Sequence, residues 1–404
     1  MPTETVTIEN AEGIELSGSI EMPAGAVRGA ALFAHCFTCT KQSIAAVHVS
    51  RALARHGIAT LRFDFTGLGG SEGEFGHQGF SGDVDDLVAS AGFLEQRFGG
   101  PILLVGHSLG GAAVLAGAER LQNVAGVVTI GAPASVPHAL KQVSGNLGAI
   151  EQDGEGPVDI GGRPFTVSRT FIEQMRSADL LSCVTKLRMP LMVMHSPTDD
   201  TVGIENAAKL FEKAHHPKSF VSLEDANHLL TRSADATFVA EMTAGWAHKR
   251  FPELETQLPD EGIRVSTGHG RFASIVESRS HHFVADEPRS VGGDGTGPTP
   301  YDLLLAALGT CTAMTMKMYA DRKGWPLAGT RIELRHERDH QQECDHVTAM
   351  EEGKQIQALY REIALLGDEL TTEQRAKLIE IADRCPVHRT LDGHLHIHTE
   401  TAED

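Results

Sequence analysis

The chain has 404 residues, which is enough for two or three domains with sizeable cores. Its 54 acidic and 35 basic side chains give a net charge of −19, which argues against nucleic acid as a partner. No apolar run predicts a membrane span, no signal peptide is visible, and six cysteines are too few for a disulfide scaffold, so we expect a cytoplasmic protein that does not bind membranes.

The first 250 residues alternate apolar, strand-like runs with helical patterns. The earliest runs predict a hairpin, and the later alternation predicts a mostly parallel sheet with helices on both faces. Ser81 is expected to cap the second helix, and the three acids that follow it are interpreted as stabilisers of the helix end. Strands are predicted at 6–8, 14–20, 29–34, 59–65, 102–105, 124–130, 191–195 and 219–223, and helices at 43–55 and 81–98.

Residues 135–188 interrupt this alternation. A polar, glycine-rich run at 154–164 and a helical pattern at 171–181 predict a small cap that shapes a pocket. The polar run 252–262 holds two prolines, so we predict a linker at 253–262 that separates a first domain, 1–252, from a second, 263–404.

The second domain has a different order of elements, typical of an α+β unit. Alternating strands are predicted at 263–286, followed by a glycine- and proline-rich loop at 291–300. A helix at 303–319, a strand at 331–336, a histidine-rich loop, a helix at 371–384 and a last strand at 394–399 complete the prediction.

A Gly-x-Ser-x-Gly sequence occupies residues 106–110, between an apolar run and a run of small residues. In this setting the pattern predicts a nucleophile elbow, in which the glycines permit a tight turn between strand and helix. The hydroxyl of Ser108 would then stand exposed at the end of the sheet, as a nucleophile must.

Two later loops supply the acid and the base that a serine nucleophile needs. Asp199 follows the strand at 191–195, with Asp200 as the rival acid, and His228 follows the strand at 219–223. The chain order serine, acid, histidine is the order of α/β-hydrolase triads. We therefore predict a triad of Ser108, Asp199 and His228.

An oxyanion hole needs backbone N–H groups directed at the charge that develops on the substrate. Leu109, directly after the nucleophile, is one expected donor. The other should lie in the loop after the strand at 29–34, where we favour Phe37 and keep Cys36 as the alternative. Cys36 and Cys39 also form a C-x-x-C pattern typical of redox pairs, but their place in this loop favours the oxyanion interpretation.

These residues carry a resemblance to a known family. Residues 1 to about 250 resemble α/β-hydrolases of the serine aminopeptidase-like esterase and lipase group, with Cys36 in place of the glycine of the group's His-Gly-Phe loop. The resemblance implies hydrolysis of a small-molecule ester through an acyl-enzyme on Ser108, with His228 acting first as base and then as acid.

Two cysteines stand out in the C-terminal part of the chain. Cys311 lies in the apolar helical run, and Cys385 begins the sequence Cys-Pro-Val-His. Either one fits a buried small hydrophobic residue. A reactive thiol would need a cation or a helix end that lowers its pKa, and a resolving partner would make its oxidation reversible.

Residues from about 265 to 400 resemble the osmotically inducible protein C and organic hydroperoxide resistance (OsmC/Ohr) family, through the Gly-Pro-Thr-Pro-Tyr-Asp-Leu-Leu segment before Cys311 and the sequence at Cys385. The resemblance implies that Cys311 attacks an organic hydroperoxide, that Cys385 resolves it, that a dithiol reductant restores both, and that the chain forms a homodimer. Tyr301 replaces the family's glutamate, and Arg271 is the candidate for its arginine. Alternatively, this domain only dimerises the esterase and shapes its pocket.

A histidine-rich segment contains candidate metal ligands. His336, His340, Cys344 and His346 are of types that bind zinc, but their spacing fits no strong zinc pattern. A solvated loop is the favoured interpretation, and we predict no metal or other cofactor.

Overall fold

The computed structural model describes residues 2–137, 140, 143–160, 162–252, 261–279, 281–340 and 355–401. The chain divides into two compact units. The first comprises the residues up to Val284 with Gly292–Thr296, and the second comprises Ala285–Val291 with the residues from Gly297 onward. Most of the linker predicted at 253–262 lies outside the described residues, and the segment 263–284 groups with the first unit by its contacts.

An eight-stranded sheet forms the centre of the first unit. In the order of the sheet, the three strands at one edge pair antiparallel, and the remaining neighbours pair parallel, as the alternation of strands and helices predicted. The strands of this unit before residue 250 are β1 (Thr3–Glu9), β2 (Glu15–Glu21), β3 (Gly29–Ala34), β4 (Ile58–Phe63), β5 (Ile102–His107), β6 (Val124–Ile130), β7 (Val143–Ser144), β8 (Glu155–Ile160), β9 (Arg163–Ser168), β10 (Leu191–His195) and β11 (Lys218–Ser222). The order in the large sheet is β1-β2-β4-β3-β5-β6-β10-β11.

Helices cover both faces of this sheet. They are α1 (Ile44–Arg55), α2 (Gly79–Phe98), α3 (Leu109–Gly117), α4 (Leu147–Asp153), α5 (Arg169–Ser177), α6 (Leu180–Lys186), α7 (Glu205–Lys213) and α8 (Ser233–Ala247). Strand β3 shows why both faces must be covered: Leu32 packs into the core beneath α2 and α3, while Phe33 packs into the core beneath α1 and α8. Alternate side chains of a strand point to opposite faces, so a strand that is apolar throughout is buried on both.

The segment predicted as a cap forms a small layer of its own between β6 and β10. Strands β7, β8 and β9 make an antiparallel sheet, and α4, α5 and α6 accompany it. The single helix predicted at 171–181 is two helices, because Ala178 is extended and the carboxylate of Asp179 starts α6 by accepting a hydrogen bond from the Ser182 N–H.

The remaining elements are a three-stranded sheet and a helix-and-hairpin unit. Strands β12 (Arg264–Thr267), β13 (Ser274–Glu277) and β14 (His282–Ala285) form the sheet. Helix α9 (Pro300–Lys323), the long antiparallel pair β15 (Gly329–His340) and β16 (Gln355–Leu366), α10 (Thr372–Ala382) and α11 (Pro386–Leu391) follow. A small apolar core joins Met316 and Ala320 of α9 to Leu378 and Ala382 of α10.

Helix α9 corrects the expectation that no segment resembles a membrane span. By length and composition alone it is apolar enough to cross a bilayer. Its N-terminus carries a capping box between Thr299 and Asp302, and it ends at Gly324 in the left-handed conformation. Met316 and Ala320 are fully buried in the core of the second unit, and 28% of the apolar 18-residue stretch of α9 is buried.

Two local predictions were wrong, and one strand was missed. Ser81 does not cap α2, which begins at Gly79; its N–H and hydroxyl instead donate to the side-chain oxygen of Gln174, at 2.9 and 2.8 Å. Strand β16 was not predicted. The strand predicted at 394–399 is absent, and those residues have no regular secondary structure.

Candidate active site

The Gly-x-Ser-x-Gly sequence forms a sharp turn between β5 and α3. Ser108 adopts φ 56° and ψ −121°, a conformation that non-glycine residues rarely occupy. The flanking glycines are required by space: a Cβ on Gly106 would lie 2.3 Å from the Gly110 carbonyl oxygen, and one on Gly110 would lie 2.3 Å from that of Ala34. The hydroxyl of Ser108 is thereby held at the carboxyl end of the sheet.

The structure brings the predicted serine, histidine and aspartate into one hydrogen-bonded row. His228 Nε2 lies 2.9 Å from Ser108 Oγ, and His228 Nδ1 lies 2.7 Å from Asp199 Oδ2. An ionised carboxylate only accepts hydrogen bonds, so Nδ1 carries the proton and Nε2 accepts from the serine hydroxyl. This is the tautomer that a serine nucleophile needs.

Sheet topology explains why three residues so far apart in sequence meet. Ser108, Asp199 and His228 follow β5, β10 and β11, which run parallel within one sheet. The carboxyl ends of parallel strands lie at the same edge, so the loops after them converge there.

Asp199 is held as a charged acceptor. Its Oδ1 accepts from the N–H groups of Thr201 and Val202, at 2.9 and 2.8 Å. Burial by itself raises the pKa of this carboxyl, but the hydrogen bonds from His228 and the Val202 N–H outweigh burial and lower the pKa below its usual value. The rival acid, Asp200, is exposed, and its carboxylate accepts from the Thr201 hydroxyl.

Two further histidines, which the sequence interpretation missed, support this row. His107 Nε2 lies 2.7 Å from the backbone oxygen of His228, and His195 Nε2 lies 2.7 Å from that of Val202. Burial lowers the pKa of His107 to about 3, with a further contribution from His228, so the ring is neutral. A neutral ring can donate from Nε2, and it thereby fixes the loop that carries His228.

The predicted oxyanion residues meet in one pocket. Cys36, Phe37 and Leu109 line a small recess beside the elbow. Across the described part of the chain, the N–H groups of Phe37 and Leu109 donate to no other protein group. Apolar side chains form much of the remaining wall, which also includes Asp83. Burial raises the pKa of the Asp83 carboxyl well above its usual value, and the neighbouring Asp86 raises it further.

The C-x-x-C pattern in this loop is a disulfide. Cys36 and Cys39 are bonded, with their Cα atoms 5.2 Å apart. The interpretation of this loop as only an oxyanion element was therefore incomplete, because the two cysteines close a covalent ring around it.

The second unit brings its two predicted cysteines together. The Cys385 thiol is buried, 3.6 Å from Thr312 Oγ1, while Cys311 is partly exposed. Burial raises the pKa of Cys385, but the His388 N–H, the Thr312 hydroxyl, the Cys311 thiol and the charge of Arg361 together lower it below its usual value.

An arginine that the sequence interpretation missed completes this cluster. Arg361 of β16 donates from one amino group to Thr312 Oγ1 at 2.8 Å and from the other to Asp383 at 2.6 Å. The guanidinium of the predicted arginine, Arg271, lies over the ring of Phe272, 4.8 Å from its centre. One cluster in the second unit thus contains the Arg361 guanidinium, the Thr312 hydroxyl and the thiols of Cys311 and Cys385.

In the described part of the chain no group of three or more His, Cys, Asp or Glu residues could hold an ion, and among the four candidate zinc ligands only His336 has a described side chain. His336 stacks on Tyr301, and its Nε2 lies 2.6 Å from the Gln357 side-chain oxygen. Cys344 and His346, and the side chain of His340, lie outside the described residues.

Comparison with known proteins assigns both units to families. The sequence model of the alpha/beta hydrolase family matches residues 29–242, and that of OsmC-like protein matches residues 293–400. The chain belongs to the alpha/beta hydrolase family. Its C-terminal part is an OsmC-like domain. No curated protein matches the chain.

Solved structures agree with this assignment of the hydrolase domain. An esterase domain from a Rhodothermus marinus protein is 46% identical, with a TM-score of 0.52, over 62% of this chain and 99% of that one. Est1E of Butyrivibrio proteoclasticus, solved with ferulic acid bound, is 21% identical, with a TM-score of 0.53, over 61% of this chain and 99% of its own. Mouse alpha/beta hydrolase domain-containing protein 10 is 21% identical, with a TM-score of 0.51, over 61% of this chain and 99% of that one.

The neighbours at 21% identity establish the fold. The Rhodothermus esterase domain is closer in sequence and covers a similar share of the chain. The predicted fold class, a mostly parallel hydrolase sheet followed by an OsmC-like α+β domain, is thus confirmed.

Proposed function

We propose that the hydrolase domain is a carboxylesterase that works through an acyl-enzyme on Ser108. The observation that carries this proposal is the row Ser108–His228–Asp199, with 2.9 and 2.7 Å between its members. The 46% identity to a domain described as an esterase supports an ester as the substrate.

In the first half of the reaction His228 Nε2 takes the proton of Ser108 Oγ while that oxygen attacks the ester carbonyl carbon. The imidazolium that forms is stabilised by Asp199 through Nδ1–H. Negative charge on the carbonyl oxygen is stabilised by the N–H groups of Leu109 and Phe37, which have no competing acceptor within the described chain. His228 then gives its proton to the departing alcohol.

The second half repeats these roles with water. His228 Nε2 takes a proton from a water molecule, and the resulting hydroxide attacks the acyl carbon on Ser108. Collapse of this intermediate releases the carboxylic acid, and the serine oxygen recovers its proton from His228.

The test is hydrolysis of p-nitrophenyl esters of increasing acyl length by the wild type and by Ser108→Ala. The proposal predicts a loss of at least about 10³-fold in kcat, because the variant keeps only binding and the oxyanion donors. Equal melting temperatures would show that the variant is folded. Retention of most of the activity by a folded variant would overturn the proposal.

For the OsmC-like domain we propose a thiol-dependent reduction of organic hydroperoxides. The observation that favours it is the contact between the partly exposed Cys311 and the buried Cys385, whose pKa is lowered. The Cys311 thiolate attacks the peroxide oxygen, which gives a sulfenic acid and an alcohol; Cys385 condenses with it to a disulfide and water. A dithiol then restores both thiols, and Arg361, in place of Arg271, is the cation of this site, where it lowers the pKa of the resolving Cys385.

Cumene hydroperoxide with dithiothreitol or dihydrolipoamide tests this second activity. Peroxide reduction that is lost in Cys311→Ser and Cys385→Ser supports it. No reduction by the wild type would leave the alternative, in which the domain only dimerises the esterase and shapes its pocket. We also propose a cytoplasmic homodimer, and sedimentation of the full chain tests the dimer.

A further inference from the structure

We propose that the Cys36–Cys39 disulfide is a thiol–disulfide exchange site that controls the oxyanion loop, and that a small dithiol which reduces it slows ester hydrolysis. The inference rests on the proposed esterase activity, because its readout is catalysis at Ser108. It concerns the hydrolase domain alone and does not involve Cys311 or Cys385.

The disulfide closes a ring around the residues that it would control. The Cys39 N–H donates to the Cys36 carbonyl oxygen at 3.0 Å, so Phe37 and Thr38 stand at the centre of a tight turn. The Sγ–Sγ bond fixes the two ends of this turn a second time. Phe37, whose N–H is the proposed oxyanion donor, therefore cannot move independently of the two cysteines.

Thr38 shows why the turn needs this closure. Its φ is 58°, in the left-handed region, which a β-branched residue avoids because its side chain crowds the backbone there. Such conformations persist when the surrounding structure enforces them, and they concentrate at functional sites. Besides the ring, the Arg163 guanidinium holds this residue, through a 3.0 Å hydrogen bond to the Thr38 carbonyl oxygen.

The exposure of the two sulfurs sets the direction of exchange. Cys36 is 3% exposed, whereas Cys39 is partly exposed at the surface. A thiolate from solution attacks the Cys39 sulfur, the bond between the two sulfurs breaks, and Cys36 leaves as a thiolate that is then protonated. The second thiol of the reductant displaces Cys39, which gives two protein thiols and one oxidised reductant.

Reduction changes the position of the oxyanion donor. Without the ring, Thr38 can return to negative φ, which turns the Phe37–Thr38 peptide, and the backbone between Cys36 and Thr38 must then readjust, so that the Phe37 N–H changes direction. The Phe37 ring stays anchored, since it lies 5.7 Å from the ring of Phe75 and stacks at 6.3 Å on that of Phe171. The loop as a whole therefore stays in place, while the Phe37 N–H no longer points at the oxygen on which negative charge develops. This slows the chemical step more than it weakens substrate binding.

The experiment compares the two redox states of one protein. The full chain carries Cys311→Ser and Cys385→Ser, which removes the thiol pair of the OsmC-like domain from the comparison. It is assayed on p-nitrophenyl acetate after oxidation and after reduction with dithiothreitol, with the reductant removed anaerobically because free thiols cleave the substrate. Peptide mass spectrometry reports the state of Cys36 and Cys39, and the melting temperature reports folding.

We expect reduction to lower kcat at least about tenfold with a KM change within about threefold, since the oxyanion donor acts mainly in the transition state. Reoxidation should restore kcat. Adding Cys39→Ser to the same background should give the low kcat and abolish the response to dithiothreitol. If that variant does not fold, the change in kcat on reversible reduction of the folded parent protein still tests the proposed switch.

Three other outcomes would overturn the proposed switch. Equal or higher kcat after reduction, with Ser108-dependent hydrolysis in both states, overturns the switch and leaves the esterase proposal standing. Loss of folding on reduction also overturns the switch, because the disulfide would then be a structural cross-link. The absence of Ser108-dependent hydrolysis in both states overturns the proposed function and the switch with it.

Discussion

His107 Nε2 lies 2.7 Å from the backbone oxygen of His228, so the residue before the nucleophile holds the loop that carries the base. Elbow and base are thus joined twice, once through the Ser108 hydroxyl and once through this buried contact. The second link carries no proton in the reaction. Its role is to position His228.

We predict that His107→Leu lowers kcat for ester hydrolysis by about 10- to 100-fold, with little change in KM, because displacement of a catalytic group by about 1 Å has effects of this size. His107→Gln keeps an amide donor and should recover much of the loss. Steady-state kinetics of both variants test this. Equal loss in the two variants would show that packing of the ring, and not its hydrogen bond, positions the base.

The buried, neutral state of His107 predicts a pH dependence of stability. Its pKa is about 3 in the folded protein, mainly through burial, whereas in the unfolded chain it is near 6.5. Between these values the unfolded state binds more protons, so this residue makes the free energy of unfolding fall as the pH is lowered from about 6.5 towards 3. Urea unfolding at several pH values should show a shallower decrease in His107→Gln, and identical slopes in variant and wild type would refute the assignment.

The two adjacent aspartates provide a matched pair of variants. Asp199→Asn should lower kcat by about 10³- to 10⁴-fold, because an amide at this position no longer selects the tautomer with the proton on Nδ1. Asp200→Asn should leave kcat within about threefold, since this exposed carboxylate contacts only the Thr201 hydroxyl among the described residues. Both are measured on the same p-nitrophenyl ester. The reverse order of effects would make Asp200 the acid.

Two glycines test the steric argument for the elbow. Gly110→Ala places a Cβ 2.3 Å from the Ala34 carbonyl oxygen, so we expect a loss of stability of more than about 2 kcal/mol and of most activity. Gly92→Ala lies in α2, and its Cβ meets no atom within 4 Å. This control should gain roughly 0.5–1 kcal/mol from helix propensity. Denaturant unfolding measures both changes, and a well-folded, active Gly110→Ala would contradict the close approach.

In the OsmC-like domain, Arg361→Met should raise the pKa of the Cys385 thiol, because it removes the nearby positive charge and the donor that orients Thr312. Arg335→Met is the matched control, since that exposed guanidinium lies over Tyr360 and pairs with Glu337. Titration of cysteine Cβ shifts by carbon NMR resolves the two cases. An unchanged pKa in Arg361→Met would remove this arginine from the thiol site.

The geometry that can be predicted from sequence is that in which a local pattern implies a local shape. The sharp turn at Ser108 is predictable because glycines at both flanks of a serine, after a strand and before a helix, have one geometric solution. Asp199 and His228 followed from their places after predicted strands, since parallel strands bring such loops together.

The parts that were missed depend on partners far away in the chain. Arg361 reaches Thr312 and Asp383 through the pairing of β16 with β15, and the period of a single strand does not reveal that register. Ser81 has the ideal residue type for a cap, but Gln174, 93 positions away, binds it instead. The Cys36–Cys39 bond was visible as a spacing, yet the same spacing also fits an unbonded loop.

The most direct test of the esterase mechanism is the detection of the acyl-enzyme. The wild type and Ser108→Ala are mixed with p-nitrophenyl acetate, quenched in acid during turnover, digested and analysed by mass spectrometry. The mechanism predicts an acetyl group on Ser108 in the wild type and none in the corresponding peptide of the variant. Continued hydrolysis by the wild type with no acetyl group on Ser108, or with the group on another residue, would contradict it.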